Sequence, residues 1–173
     1  MYNKWGFLYV ILYNKLTNFY LNIITFNVIS FFKRCNMDNL KEKAALLHSQ
    51  GYNCAQSVCG VFADKLNIDE DTLFKLSEGF GAGTGNLQGS CGALSAAIII
   101  AGLCNSGGIN SVKKTKGHTY KLTATLNQAF QEKVGSIYCK DIKGINTGNV
   151  LRSCDGCIDD AIDIIQEYIF KSE

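Results

Sequence analysis

At 173 residues, 47% of them hydrophobic, the chain is long enough for one domain with an ordinary core, and a formal net charge of +2 gives no nucleic-acid footprint. Its eight cysteines could frame a secreted disulfide scaffold. The chain is too long to need such staples, and no small-residue cleavage site follows an apolar run, so a reducing cytoplasm is expected.

Charge divides the chain unevenly. Residues 1–36 hold Lys4, Lys15, Lys33 and Arg34 with no acid, whereas 37–173 hold 13 basic and 15 acidic residues, so the two segments carry +4 and −2. The first segment is also rich in aromatics and asparagines. Its longest uncharged run, 16–32, is broken by Asn18, Asn22 and Asn27 and falls short of the roughly 20 apolar residues a spanning helix prefers. With Lys33 and Arg34 at a cytoplasmic boundary it would anchor the protein to a membrane with its body in the cytoplasm. The composition better fits translated AT-rich DNA upstream of a start at Met37, in which case Cys35 has no role.

From Met37 the pattern is helical. Asp38 can cap a first helix, with Leu40, Ala44 and Leu47 at helical spacing and Gly51 as its stop. Asn53 can cap a second, from 54 to about 66, whose Val58, Val61, Phe62 and Leu66 share a face and whose first turn holds Cys54. Asp69 starts a third through Leu73, Phe74 and Leu76, ended by Gly79. The glycine-rich stretch 79–92 contains neither G-x-G-x-x-G nor a Gly-Lys-Ser/Thr ending, so it fits no dinucleotide or phosphate loop. It is expected to shape the surroundings of Cys91.

Cys91 opens a fourth helix, 91 to about 104, apolar almost all round through Ala96, Ala97, Ile98, Ile99, Ile100, Ala101 and Leu103. Such a helix belongs at the centre of a bundle. It is too short to span a bilayer, and Cys104 at its far end reads as a small core residue. A long polar helix follows from about 113 to 134, with Leu122, Leu126, Ala129 and Phe130 inward. Ser136 can cap a short turn carrying Cys139 and Ile142, and 144–148 is loop. A last helix begins near Ser153, repeats Ile158, Ala161, Ile162, Ile165 and Ile169, and carries Cys154 and Cys157 in its first turn.

Cys54, Cys91 and Cys154 therefore share one local environment, a helix N-terminus, and Cys139 occupies a similar one. Unpaired backbone N–H groups there favour the thiolate, the species that attacks disulfides and binds metals. If these ends pack together, several thiolates coexist or pair. Cys154-Asp155-Gly156-Cys157 is also a C-x-x-C, which permits a disulfide or shared metal ligation but lacks the strand and helix context of a thioredoxin. His48 and His118 have no ligand-type partner one turn away and are not assigned.

The order Gly51-Tyr52-Asn53-Cys54-Ala55-Gln56, Gly79-Phe80-Gly81, Cys91-Gly92-Ala93-Leu94-Ser95-Ala96, Tyr138-Cys139-Lys140-Asp141 and then Cys154 resembles the redox-active C-GCAxxG-C-C family over 37–173. The resemblance places the family's four cysteines on Cys54, Cys91, Cys139 and Cys154, with Ala96 where its motif closes in glycine. It implies a small all-α protein of thiol redox chemistry, often encoded near transporters, and leaves Cys59, Cys104 and Cys157 as extras.

The expected fold is an all-α bundle of five to six helices around a central apolar one, occupying 37–173. The leading expectation is a cytoplasmic thiol–disulfide redox protein, a possible thiol oxidoreductase, needing no cofactor. In it Cys91 attacks and one of Cys54, Cys139 or Cys154 resolves the mixed disulfide formed with an unidentified thiol or disulfide partner. One alternative is a zinc or iron–sulfur protein whose ligands are Cys54, Cys91, Cys139 and Cys154, with Cys157 in reserve. Another is a non-catalytic accessory module on a transporter, tethered by 1–36.

Overall fold

Residues that can cap, continue and stop helices recur along the chain, and the computed structural model, which describes residues 39–171, is helical throughout. The described residues lie within one compact unit, Asn39–Glu173. The expectations for 1–36, and the cap assigned to Asp38, lie outside them. Among the described residues there are eight α-helices and no strand. No helix among them is long and apolar enough to cross a membrane.

Helix α1 (39–49) ends just before Gly51, whose φ of +99° a glycine adopts without strain. Helix α2 (Cys54–Phe62) starts at a capping box. The Asn53 side chain accepts from the N–H groups of Ala55 and Gln56, and the Gln56 side chain accepts from the N–H of Asn53. The helix is shorter than its apolar spacing suggests, because the chain tightens into a 3-10 turn at Ala63–Lys65. Asp69 caps α3 (Glu70–Glu78) through the Thr72 N–H at 2.9 Å. Leu76 is exposed, and only Leu73 and Ser77 of that helix are buried.

The glycine stretch is not plain loop. It holds a single tight turn, α4 (Gly81–Thr84), in which Ala82 and Gly83 take left-handed backbone angles. Helix α5 (Gly92–Asn105) then runs through the core, packed on α2, α6 (Lys116–Val134) and α8 (Cys154–Tyr168). Ala93, Ala97 and Ala101 are buried four residues apart and let the neighbours approach, while Leu94 and Ile100 fill the space between. Burying each of these two contributes about 1.5–3 kcal/mol. The last turn of α5 emerges from this sheath. Cys104 is therefore exposed, not a core residue as its apolar context suggested.

Helix α6 buries Leu126 and Phe130 and stops at Gly135, where φ is +94°. The short α7 (Cys139–Ile142) follows. Helix α8 is capped by the Ser153 hydroxyl, which accepts from the Gly156 N–H, and turns Ile158, Ala161, Ile162 and Ile165 inward. Its first turns are pinned from behind. The Arg152 guanidinium donates to both oxygens of the buried Asp160 carboxylate, at 2.8 and 3.2 Å.

Candidate functional site

Three helix starts meet at one cavity of about 200 Å3. Cys54 is the first residue of α2, Cys91 the cap residue of α5 and Cys154 the first residue of α8, and all three line it together with Cys139 and Cys157. The convergence expected from the recurrence of cysteine at helix starts is what the structure shows. The positive ends of the helix dipoles thus face a common set of sulfurs.

Backbone pairing sets Cys91 beside Cys139. Ser90 and Tyr138 form an isolated antiparallel bridge, in which the Cys91 N–H donates to the Ile137 carbonyl at 2.8 Å and the Cys139 N–H to the Gly89 carbonyl at 3.1 Å. Two glycines make the approach possible. A Cβ at Gly92 would lie 2.6 Å from the Cys54 sulfur, and one at Gly83, where φ is +56°, would lie 2.6 Å from the Cys139 Cβ. The glycine-rich stretch therefore shapes the site sterically. Ala96, where the family motif closes in glycine, is fully buried.

No oxygen caps α5. The Cys91 sulfur lies at that end without a capping hydrogen bond of its own, and hydrogen bonding to the Cys157 thiol and to the Ala93 and Leu94 N–H groups acts on its ionisation. The Cys157 bond is the largest influence and outweighs burial. With help from the two N–H groups and the Lys143 ammonium it lowers the Cys91 thiol to about 7. Cys157 moves the opposite way. Its bond to Cys91, then burial, hold its thiol far above the usual range. Burial, and then the Cys91 charge, raise Cys54 and also push Cys139 up to about 11.

Lys143 also lines the cavity, and the adjacent Cys154 sulfur raises its ammonium, first by charge and then by a hydrogen bond. His48, from the end of α1, closes another side. Its Nδ1 lies 2.6 Å from the Asp155 carboxylate of α8.

All four sequence-assigned thiols, Cys54, Cys91, Cys139 and Cys154, are at the cavity. Of the three extras, Cys157 joins them and is the largest influence on the Cys91 thiol, a role the spacing had not assigned. Cys59 and Cys104 stay apart. Cys59 lies at a separate cavity of about 440 Å3 lined also by Tyr52 and Phe74, and burial pushes its thiol up to about 12. Lys143 was missed although it stands four residues after Cys139, within helical reach. His48 had no local signal, because its partner is 107 residues away in sequence. Among the described residues no three His, Cys, Asp or Glu side chains are arranged as a group that could hold a metal ion.

The C_GCAxxG_C_C family, described as "Putative redox-active protein", matches residues 52–168. No curated protein and no solved structure matches the chain. The matched segment runs from the residue before the Asn53 cap to the end of α8 and contains every thiol of the cavity, so the chain belongs to the C_GCAxxG_C_C family.

Proposed function

We propose that the domain carries out thiol–disulfide exchange, with Cys91 as the attacking thiolate and Cys157 as the resolving thiol. The observation that carries this reading is the shared cavity: Cys91, at the start of α5, and Cys157, in the first turn of α8, both line it, and there Cys157 lowers the Cys91 thiol while Cys91 raises that of Cys157. A thiolate whose pKa lies near ambient pH is close to the optimum for attack on a disulfide. The Cys91 thiolate attacks one sulfur of R–S–S–R, forming a Cys91–S–S–R bond and releasing RS⁻. Cys157 then loses its proton, attacks the Cys91 sulfur and releases the second RS⁻. The substrate disulfide is reduced to two thiols while Cys91 and Cys157 are oxidised to a disulfide. A resting dithiol state suits a reducing compartment, which supports a cytoplasmic setting.

The test is anaerobic purification, a metal assay and absorption spectrum, then reaction of the reduced protein with a small disulfide, acid quench and mass mapping of each cysteine. A Cys91 adduct that converts to a Cys91–Cys157 disulfide is expected. Cys91→Ser abolishes the adduct, and Cys157→Ser leaves it trapped. Stoichiometric metal with charge-transfer bands, or an adduct that forms equally well without Cys91, overturns the reading.

A further inference from the structure

The exchange step leaves one requirement unmet. Cys157 is 2% exposed and faces the cavity, so a group lining the cavity is the direct acceptor for its proton. Of the described residues lining the cavity, Asn53, Ala82 and Ile142 are not bases, Lys143 is a cation paired with the Cys154 sulfur, and the remaining lining groups other than His48 are the sulfurs of Cys54, Cys91, Cys139 and Cys157. His48 supplies an imidazole.

We propose that His48, held in place by Asp155, is the proton-transfer residue of the thiol cavity, accepting the Cys157 proton as the Cys91–Cys157 disulfide closes. The inference rests on the exchange reading above. The Asp155 carboxylate, 2.6 Å from Nδ1, fixes the ring with that nitrogen engaged and leaves Nε2 as the nitrogen that exchanges protons. The arrangement couples a nucleophile and an orienting carboxylate, both from α8, to a base from α1. His48 lies upstream of the family match, which begins at residue 52, so the family motif does not include it.

The balance is complete without a further reactant. In the second step the Cys157 S–H bond gives its proton to neutral Nε2, and the electron pair left on sulfur forms the bond to Cys91. The Cys91–S–R bond breaks, and the departing RS⁻ takes the proton from the imidazolium. His48 ends neutral and ready for the next cycle. The groups sharing the cavity suit this role. The Asp155 carboxylate holds the imidazole ring through Nδ1, and Lys143 is occupied by the Cys154 sulfur.

The experiment follows the full-length reduced protein with a small aromatic disulfide whose released thiolate absorbs visible light, combined with timed quench and mass mapping. In wild type the Cys91 mixed disulfide forms and then resolves. His48→Ala is expected to slow resolution about a hundredfold relative to adduct formation in the same sample, the scale of a lost general base. Added imidazole, small enough for the emptied corner, restores it. Asp155→Asn slows the same step and Asp155→Glu recovers it. Resolution in His48→Ala as fast as in wild type overturns the proposal while leaving the exchange reading intact. Slowing that imidazole does not relieve also overturns it, since a packing role alone would produce that result. Absence of any Cys91 adduct in wild type overturns both.

Discussion

Two opposing effects meet at Cys91. The residue is only 6% exposed, and burial by itself would hold the thiol neutral. Three donors aimed at the sulfur, from Cys157, Ala93 and Leu94, reverse that outcome, because a hydrogen bond to the ionised form gains strength where water is excluded. At a pKa of about 7, roughly half the sites are thiolate at neutral pH, against a few per cent for an ordinary cysteine. The rate of Cys91 alkylation should therefore climb about tenfold per pH unit below 7 and level off above it, as thiolate replaces thiol. Removing the principal donor should shift that profile. In Cys157→Ala the inflection is expected to move upward by at least about one pH unit, since burial then acts against fewer donors. An unchanged inflection, read from mass-mapped alkylation rates, would show that the helix end alone lowers the thiol.

At the scale of elements, the site depends on three helix starts brought to one point, and glycine sets how near they come. A Cβ on Gly92 would meet the Cys54 sulfur at 2.6 Å and the Phe80 carbonyl oxygen at 2.8 Å. Neither neighbour can yield cheaply, because one belongs to the first turn of α2 and the other is backbone. Gly92→Ala is expected to cost about 1–3 kcal/mol of stability, as overpacking in a well-filled interior does. Denaturant unfolding measures that loss. The Cys91 alkylation profile should move with it, because a displaced α5 start no longer aims the same N–H groups at the sulfur. An unchanged midpoint would mean that the two helix starts are less closely packed than the contact implies.

At the scale of the whole molecule, the proposed exchange would join distant parts of the chain. A disulfide between Cys91 and Cys157 ties the start of α5 to the start of α8 and closes a loop of roughly 65 residues, worth up to about 4 kcal/mol by loop entropy. The oxidised protein should accordingly melt several degrees above the reduced one. The difference should vanish in Cys157→Ser. Equal melting temperatures in both redox states of the wild type would show that strain in the oxidised form cancels the entropy gain.

Much of this architecture was legible in one dimension because helices are local. Asn53, Asp69 and Ser153 announce their caps through bonds to residues two or three positions on, and the apolar spacing of α8 names its inner face directly. The central place of α5 followed from its having no polar face. Exposure at its far end did not, because where a helix leaves its sheath depends on the lengths of neighbours, and Cys104 was misjudged for that reason.

The four motif cysteines and their shared position at helix starts are properties of the sequence by itself, since cap chemistry and dipole direction are set within a single turn. Which residues meet across the fold was decided only in three dimensions. Cys157 meets Cys91, and His48 meets Asp155, across contacts made when α1 and α5 pack beside α8. No local periodicity encodes such a meeting, because burial of apolar faces fixes it and the polar partners are carried along.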